Sequence, residues 1–309
     1  PDENNREISG DYLRRLCAVV NNELEGKDRL SPRVRSCHSY YCYCDPTRDQ
    51  AAHPEFFSMM ENGHRRGQWN SGTNLCLSNE ELREFVYSNL VKFIEADRKA
   101  NPTNYPKIYD FSQQDNSDFL CFCPACKKII AKYNRVPGGH KEGGDAGLQL
   151  EFANDIAARL EDVLGESKIQ MMALHSSEKP PKFLKAHPRV TIRLCDTTSN
   201  LLKPWTDPEN AKHLDNLREW TKHADRIEMW DYSVTYGSPD SVHFPTPAEF
   251  TFAPDLKTLR ANKGDGVFFE HEYPVAADMR DLKTWVEFKL AENSAQTLRF
   301  WIGAARTLN

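Results

Sequence analysis

The chain has 309 residues, 28% of them charged, and a formal net charge of -5. Acids and bases are interspersed rather than blocked, so there is no electrostatic footprint for a nucleic-acid partner. No apolar run approaches the roughly 18 residues of a membrane span, no signal peptide is visible, and nine cysteines cannot all pair within one chain.

In chain order, Ile8 to Glu25 reads as a helix and Arg33 to His38 (RVRSCH) as the first buried strand. Ser78-Asn79-Glu80-Glu81 is a capping box, and Leu82, Phe85, Val86, Leu90 and Ile94 follow at helical spacing. Lys107 to Ser112 (KIYDFS) is the next strand. The glycine-rich stretch Pro137 to Gly147 reads as a flexible loop, ahead of a second apolar stripe at Phe152, Ile156, Leu160 and Val163. Lys168 to His175 and Arg189 to Cys195 are short, apolar and rich in β-branched residues, as buried strands are. Asp207 followed by Pro208 caps a helix through Leu214, Leu217 and Trp220. Arg226 to Tyr232 and Gly266 to His271 complete six strands, and Leu282, Trp285, Val286 and Leu290 lie on a late helix.

Strands alternating with helices or long loops argue for parallel βα units. The expected fold is α/β: a single-domain (β/α)8 TIM-type barrel over residues 1–309, lacking its first βα units, with an open sheet as the other reading. Such barrels place their chemistry just past the C-terminal strand ends. Those ends carry His38, Tyr40 and Tyr41; Gln114 and Asp115; His175; Asp196; Trp230, Asp231 and Tyr232; and Glu270, His271 and Glu272. Aromatic rings interleaved with carboxylates, amides and imidazoles suit a sugar, and glycoside hydrolysis needs a carboxylic acid to protonate the leaving oxygen. Asp115 is the preferred acid, with Glu270 and Glu272 behind it. Of these positions Asp196 and Asp231 are the ones for which a structural role competes most strongly. His38, His175, His271, Asp231 and the aromatics Tyr40, Tyr41, Trp230 and Tyr232 would contact substrate. The alternative is a carbohydrate-binding barrel without turnover.

Cys121, Cys123 and Cys126 follow at C-x-C-x2-C spacing, which lets three thiolates converge on a tetrahedral ion. Cys195 or a histidine would supply a fourth ligand, and the competing reading is a local bridge or three small buried thiols. A zinc there would be structural; catalysis calls for no cofactor. Signatures of serine hydrolases, P-loops, zinc proteases and dinucleotide binding are missing.

His38, then AAHPEFFSMMENGHRRG (Ala51 to Gly67), LCLSNEELREF (Leu75 to Phe85), FSQQDNSDFLCFCPACKKI (Phe111 to Ile129) and RIEMWDYS (Arg226 to Ser233) resemble, in order, the bacterial glycosidase-like family called domain of unknown function 4838. Some of its members are endo-β-N-acetylglucosaminidases of glycoside hydrolase family 163. The resemblance implies a secreted or periplasmic enzyme cleaving glycans with help from the substrate's own acetamido group. Gln114 would then take the place of the residue that polarises that group, and Asp115 that of the acid. An amide in that place can hold an acetamido group but brings no charge to it.

Overall fold

The computed structural model describes residues 30–31, 33–69, 72–115, 120–232, 248–271, 283, 285–287, 290 and 299–304. Six parallel strands run in sequence order: β1 (Ile108–Asp110), β2 (Lys168–Ala173), β3 (Val190–Cys195), β4 (Ile227–Tyr232), β5 (Gly264–His271) and β6 (Arg299–Ala304). Among the described residues there is no pairing of β6 back to β1 and there are no seventh and eighth strands. The expected eight-stranded barrel is therefore corrected to an α/β fold with one six-stranded parallel sheet.

The first expected strand is also corrected. Arg33 to His38 forms no strand, and the chain leaves the sheet after a single parallel bridge between Leu30 and Ile108. Its polar side chains explain the departure. Arg33 reaches out to Asp97 at 2.6 Å, Asp97 also accepts from Ser31 Oγ at 2.6 Å, and His38 ends the segment with a left-handed φ of 53° that no strand accommodates. β6, an aromatic and apolar run (RFWIGA), is the strand missing from the sequence expectation.

Two compact units share the chain. Among the described residues, one holds 30–195 and 219–226, and the other holds 196–218 and those from 227 onward. In the first unit β1, β2 and β3 pair in register, Tyr109 with Ile169 and Ile169 with Val190. All three strands are buried runs, as a parallel sheet covered on both faces requires. Asn79 caps the Glu80–Ala100 helix by accepting from Leu82 N at 2.8 Å. The helix buries Leu82, Val86, Leu90 and Ile94, each contributing about 1.5–3 kcal/mol of transfer free energy. The i, i+4 spacing of these four residues predicts that face.

The second half of the glycine-rich stretch, expected as a loop, is packed and helical, while Pro137 and Gly138 are exposed. It runs through His140–Gly144 into the Asp145–Arg159 helix, and Gly143 and Gly144 are buried. Gly143 has a φ of 96°, and a Cβ there would meet Pro180 O at 2.6 Å, so only glycine fits. In the second unit β4, β5 and β6 pair in parallel, and the Phe252–Ala261 helix packs Phe252 against Phe269 of β5. The expected helix at Ile8 to Glu25 lies outside the described residues. Trp285, Val286 and Leu290 of the late helix are helical.

Candidate active site at the end of the first strand

Ligands of parallel α/β sheets gather outside the carboxyl ends of the strands, where side chains and free backbone groups converge. Past β1 the chain is tied down at every residue. Phe111 N donates to Gln170 O of β2 at 2.7 Å, Ser112 N to Ser39 Oγ at 3.1 Å, and Gln114 N to Asn74 Oδ1 at 2.7 Å. Gln113 is fully buried and accepts on its side-chain oxygen from Gln149 Nε2 and Ser177 Oγ. These bonds deliver Asp115 to the rim with its side chain 73% exposed.

Two histidines flank that carboxylate, and both occupy left-handed backbone, His38 at φ 53° and His175 at φ 51°. A positive φ at a residue with a Cβ is held only where surrounding contacts over-determine it, and such positions cluster at functional sites. Here the contacts are visible. His38 O accepts from Gln114 Nε2 at 2.8 Å, and His38 Nδ1 lies 2.9 Å from Gln113 O, which as a carbonyl can only accept. Nδ1 therefore carries a proton and donates it to that carbonyl. His175 opens the turn that follows β2, fixed by Leu174 N donating to Ser177 Oγ at 3.0 Å. Its Nε2 lies 3.7 Å from Asp115 Oδ1. The His175 imidazole 3.7 Å away, aided by the nearby His38, holds the Asp115 carboxyl below its ordinary value, so it is ionised at neutral pH.

Asp110 lies under this rim and is absent from the sequence expectation. It is fully buried, accepts from Ser112 Oγ, and leaves Oδ2 without a hydrogen-bond partner. Burial raises its pKa, against the pull of Ser112, Ser39 and Arg193. A buried carboxyl pushed upward and an exposed one pulled downward after the same strand diverge in the sense that separates acid and base roles in catalytic sites. The signal in the sequence was an aspartate inside a strand otherwise apolar and aromatic.

Other expected site residues are distributed differently. Tyr40 and Tyr41 are fully buried. Tyr40 packs edge-on against Phe111 and Phe152, and Tyr41 bonds Thr73 Oγ1 at 2.7 Å, so both belong to the core and offer no face to a sugar. In the second unit Trp230 is only 3% exposed, stacks 4.2 Å from Phe268 and donates Nε1 to Glu270 Oε2 at 2.8 Å, which occupies both partners. Tyr232 is half-buried at the end of β4 and His271 ends β5, while Glu272 lies outside the described residues.

Asp231 and Asp196 sit in a carboxylate knot of that unit. Asp196 accepts from Trp205 Nε1 at 2.7 Å and from Ser199 Oγ at 2.5 Å, with His213 Nδ1 at 3.3 Å; Asp255 accepts from Trp205 N at 2.7 Å. Burial, then the charges of Asp196, Asp255 and Glu287, push Asp231 well above the usual carboxylate range. Asp255 is raised to about 7, first by burial. The bonds tie the loop after β3 to the Phe252–Ala261 helix.

The three expected cysteines do come together, and the fourth member is Cys76. All four are buried and unbridged, with sulfurs within 4.8 Å of one another. Cys76 Sγ lies 3.6 Å from Cys123, 3.8 Å from Cys121 and 4.0 Å from Cys126. Neither Cys195 nor any histidine belongs to this group among the described residues. Cys76 is 45 residues from Cys121, so no local spacing reveals it.

Among solved structures, one similar chain is Streptococcus suis SuiB bound to S-adenosylmethionine, 10% identical, with a TM-score of 0.36 over 69% of this chain and 41% of that one. This chain thus spans well under half of SuiB's length. No curated protein gives a match. No helix among the described residues is long and apolar enough to cross a membrane. Residues 9–302, nearly the whole chain, match the family described as Domain of unknown function (DUF4838), and the chain belongs to that family.

Proposed function

We propose that this protein is a glycoside hydrolase acting on N-acetylglucosamine-containing glycans at the carboxyl end of β1. The observation that carries the reading is the Asp115 carboxylate, exposed and held ionised between two histidines whose left-handed backbones the surrounding bonds enforce. Imidazole, amide and carboxylate on one rim supply donors and acceptors for sugar hydroxyls and an acetamido group. The resemblance in sequence to glycan-cleaving enzymes supports the substrate class, and an extracytoplasmic location goes with it.

Because Asp115 is held ionised, the acid role expected of it passes in this reading to His175, which gives a proton to the leaving oxygen as the anomeric C–O bond breaks. The substrate's acetamido oxygen forms the new bond to the anomeric carbon. Asp115, as a carboxylate, pairs with the positive charge that spreads onto the acetamido nitrogen. Water then opens that ring and returns its proton to His175. Gln114 is a positioning residue, because both its backbone N–H and its side-chain amide are already engaged with Asn74 and His38.

The test is incubation of the protein with a mixed pool of N-glycans and mucin glycans, products read by mass spectrometry, for wild type, Asp115→Asn and His175→Ala. Cleavage by wild type with loss in both variants is expected. Saturable glycan binding with no product after long incubation would replace hydrolysis by binding alone.

A further inference from the structure

We infer that Cys76, Cys121, Cys123 and Cys126 form a structural tetrathiolate zinc site that fixes the loop carrying Asp115. The geometry separates this from the two ordinary fates of clustered cysteines. A disulfide brings sulfurs to about 2.05 Å, and the separations here are 3.6, 3.8 and 4.0 Å. Zinc–sulfur bonds of about 2.3 Å place the corners of a tetrahedron about 3.8 Å apart, which the three separations from Cys76 match, while the remaining sulfur pairs lie within 4.8 Å.

The surroundings are those of thiolates. Met59 N donates to Cys121 Sγ at 3.3 Å and Cys126 N to Cys123 Sγ at 3.4 Å. Cys123 is the N-cap of the Pro124–Tyr133 helix, so the helix N-terminus faces its sulfur, and the positive end of the helix dipole favours negative charge there. Ser78 Oγ lies 3.0 Å from Cys126 Sγ and 3.6 Å from Cys123 Sγ, which diverts this hydroxyl from the helix cap to the sulfurs. The Arg65 guanidinium donates to Phe57 O at 2.7 Å and to Glu55 O at 3.2 Å, the residues on either side of Phe56, whose O accepts from Cys76 N. Four buried thiolates at such spacing repel strongly unless a cation lies among them. With four sulfur ligands no coordination position stays open, so the metal does no chemistry itself.

Its position gives it a task. Cys76 ends the segment that bonds Gln114 N through Asn74 Oδ1, and Cys121 follows Asp115 along the chain. The segment is also laced to Phe56 and Ser58, with Cys76 N donating to Phe56 O and Ser58 N to Asn74 O, both at 2.8 Å, while Phe122 N donates to Met59 O at 2.8 Å. One ion therefore joins two stretches of chain on both sides of the Asp115 rim, and hydrogen bonds tie the Phe56–Met59 stretch to them. Soft thiolate sets of this geometry take zinc or a single iron, and the absence of any open position or redox partner in the proposed task favours zinc.

The experiment uses the whole chain, purified without chelator. Elemental analysis should find about one zinc per chain, and four thiols should titrate with mercurial as that zinc is released. Replacement by cobalt should give the intense visible bands of a tetrahedral ion with sulfur-to-metal charge transfer in the near ultraviolet. Cys76→Ser and Cys126→Ser should each lose at least about tenfold in zinc affinity, whereas Cys195→Ser and Cys42→Ser keep it. If the first two variants fail to fold, the cobalt spectrum of the wild-type chain decides. Stoichiometric iron in place of zinc, intramolecular disulfides among these four cysteines in the freshly purified protein, no bound metal, or loss of zinc in Cys195→Ser would each overturn the assignment.

Discussion

Two aspartates at the ends of parallel strands are chemically opposite. Asp115, after β1, is exposed and held ionised by His175. Asp231, on β4, is buried among Asp196, Asp255 and Glu287, and keeps its proton far above the usual carboxylate range. Each lies where a sheet of this kind gathers ligands, so position alone does not separate them. What does is the use made of their neighbours. Around Asp231 the partners are spent on architecture: Trp205 donates through its backbone to Asp255 and through its ring to Asp196. Around Asp115 the bonds hold the backbone and leave the carboxylate and an imidazole facing outward.

The comparison breaks most sharply on Asp115→Asn. Loss of the charge should lower turnover by roughly 10²- to 10³-fold, with the melting temperature unchanged because the side chain is mostly exposed. Calorimetry beside the rate measurement separates the two effects, and a comparable fall in stability would move Asp115 into the structural class with Asp231.

Asp255→Asn sharpens the other side. The folded chain holds a proton on Asp255 up to about pH 7, whereas the unfolded chain releases it near 3.9. Between those values the native state binds more protons than the unfolded state, so stability is greatest below the lower value and falls as pH rises to the upper one. The asparagine, which keeps an acceptor for Trp205 N, should flatten that slope and stabilise the protein at pH 8 by on the order of 1 to 4 kcal/mol. Urea unfolding across pH reads it directly, and an unchanged slope would mean that the knot titrates elsewhere.

The smallest effect belongs to Tyr40→Phe. Its hydroxyl is buried with no hydrogen-bond partner, so removing it should leave stability within about 0.5 kcal/mol of wild type or raise it. Glycan binding, followed by isothermal titration, should also be unaffected. A loss of binding would return Tyr40 to the substrate site.

Which features the sequence carried follows from their range. β1 to β5 were legible as short apolar runs, and the Leu82, Val86, Leu90, Ile94 stripe and the helix start as local patterns decided within a few residues, although the cap falls on Asn79, one residue after the Ser78 of the expected capping box. The strand expected at Arg33 to His38 failed because its side chains answer to Asp97, more than sixty residues away. The barrel failed because closure is a property of the whole sheet, which no single segment encodes. Asp115 and three of the four thiols were visible in one stretch. Cys76 was not, and neither were the left-handed histidines, since histidine has only a weak preference for that backbone and the bonds that enforce it come from Gln113, Gln114 and Ser177.

The most direct measurement is glycan cleavage by wild type, Asp115→Asn and Asp231→Asn side by side, on the mixed pool of N-glycans and mucin glycans, with released products weighed by mass spectrometry. Cleavage by wild type and Asp231→Asn with none by Asp115→Asn is the predicted result. Equal cleavage by Asp115→Asn, or loss confined to Asp231→Asn, would contradict the account.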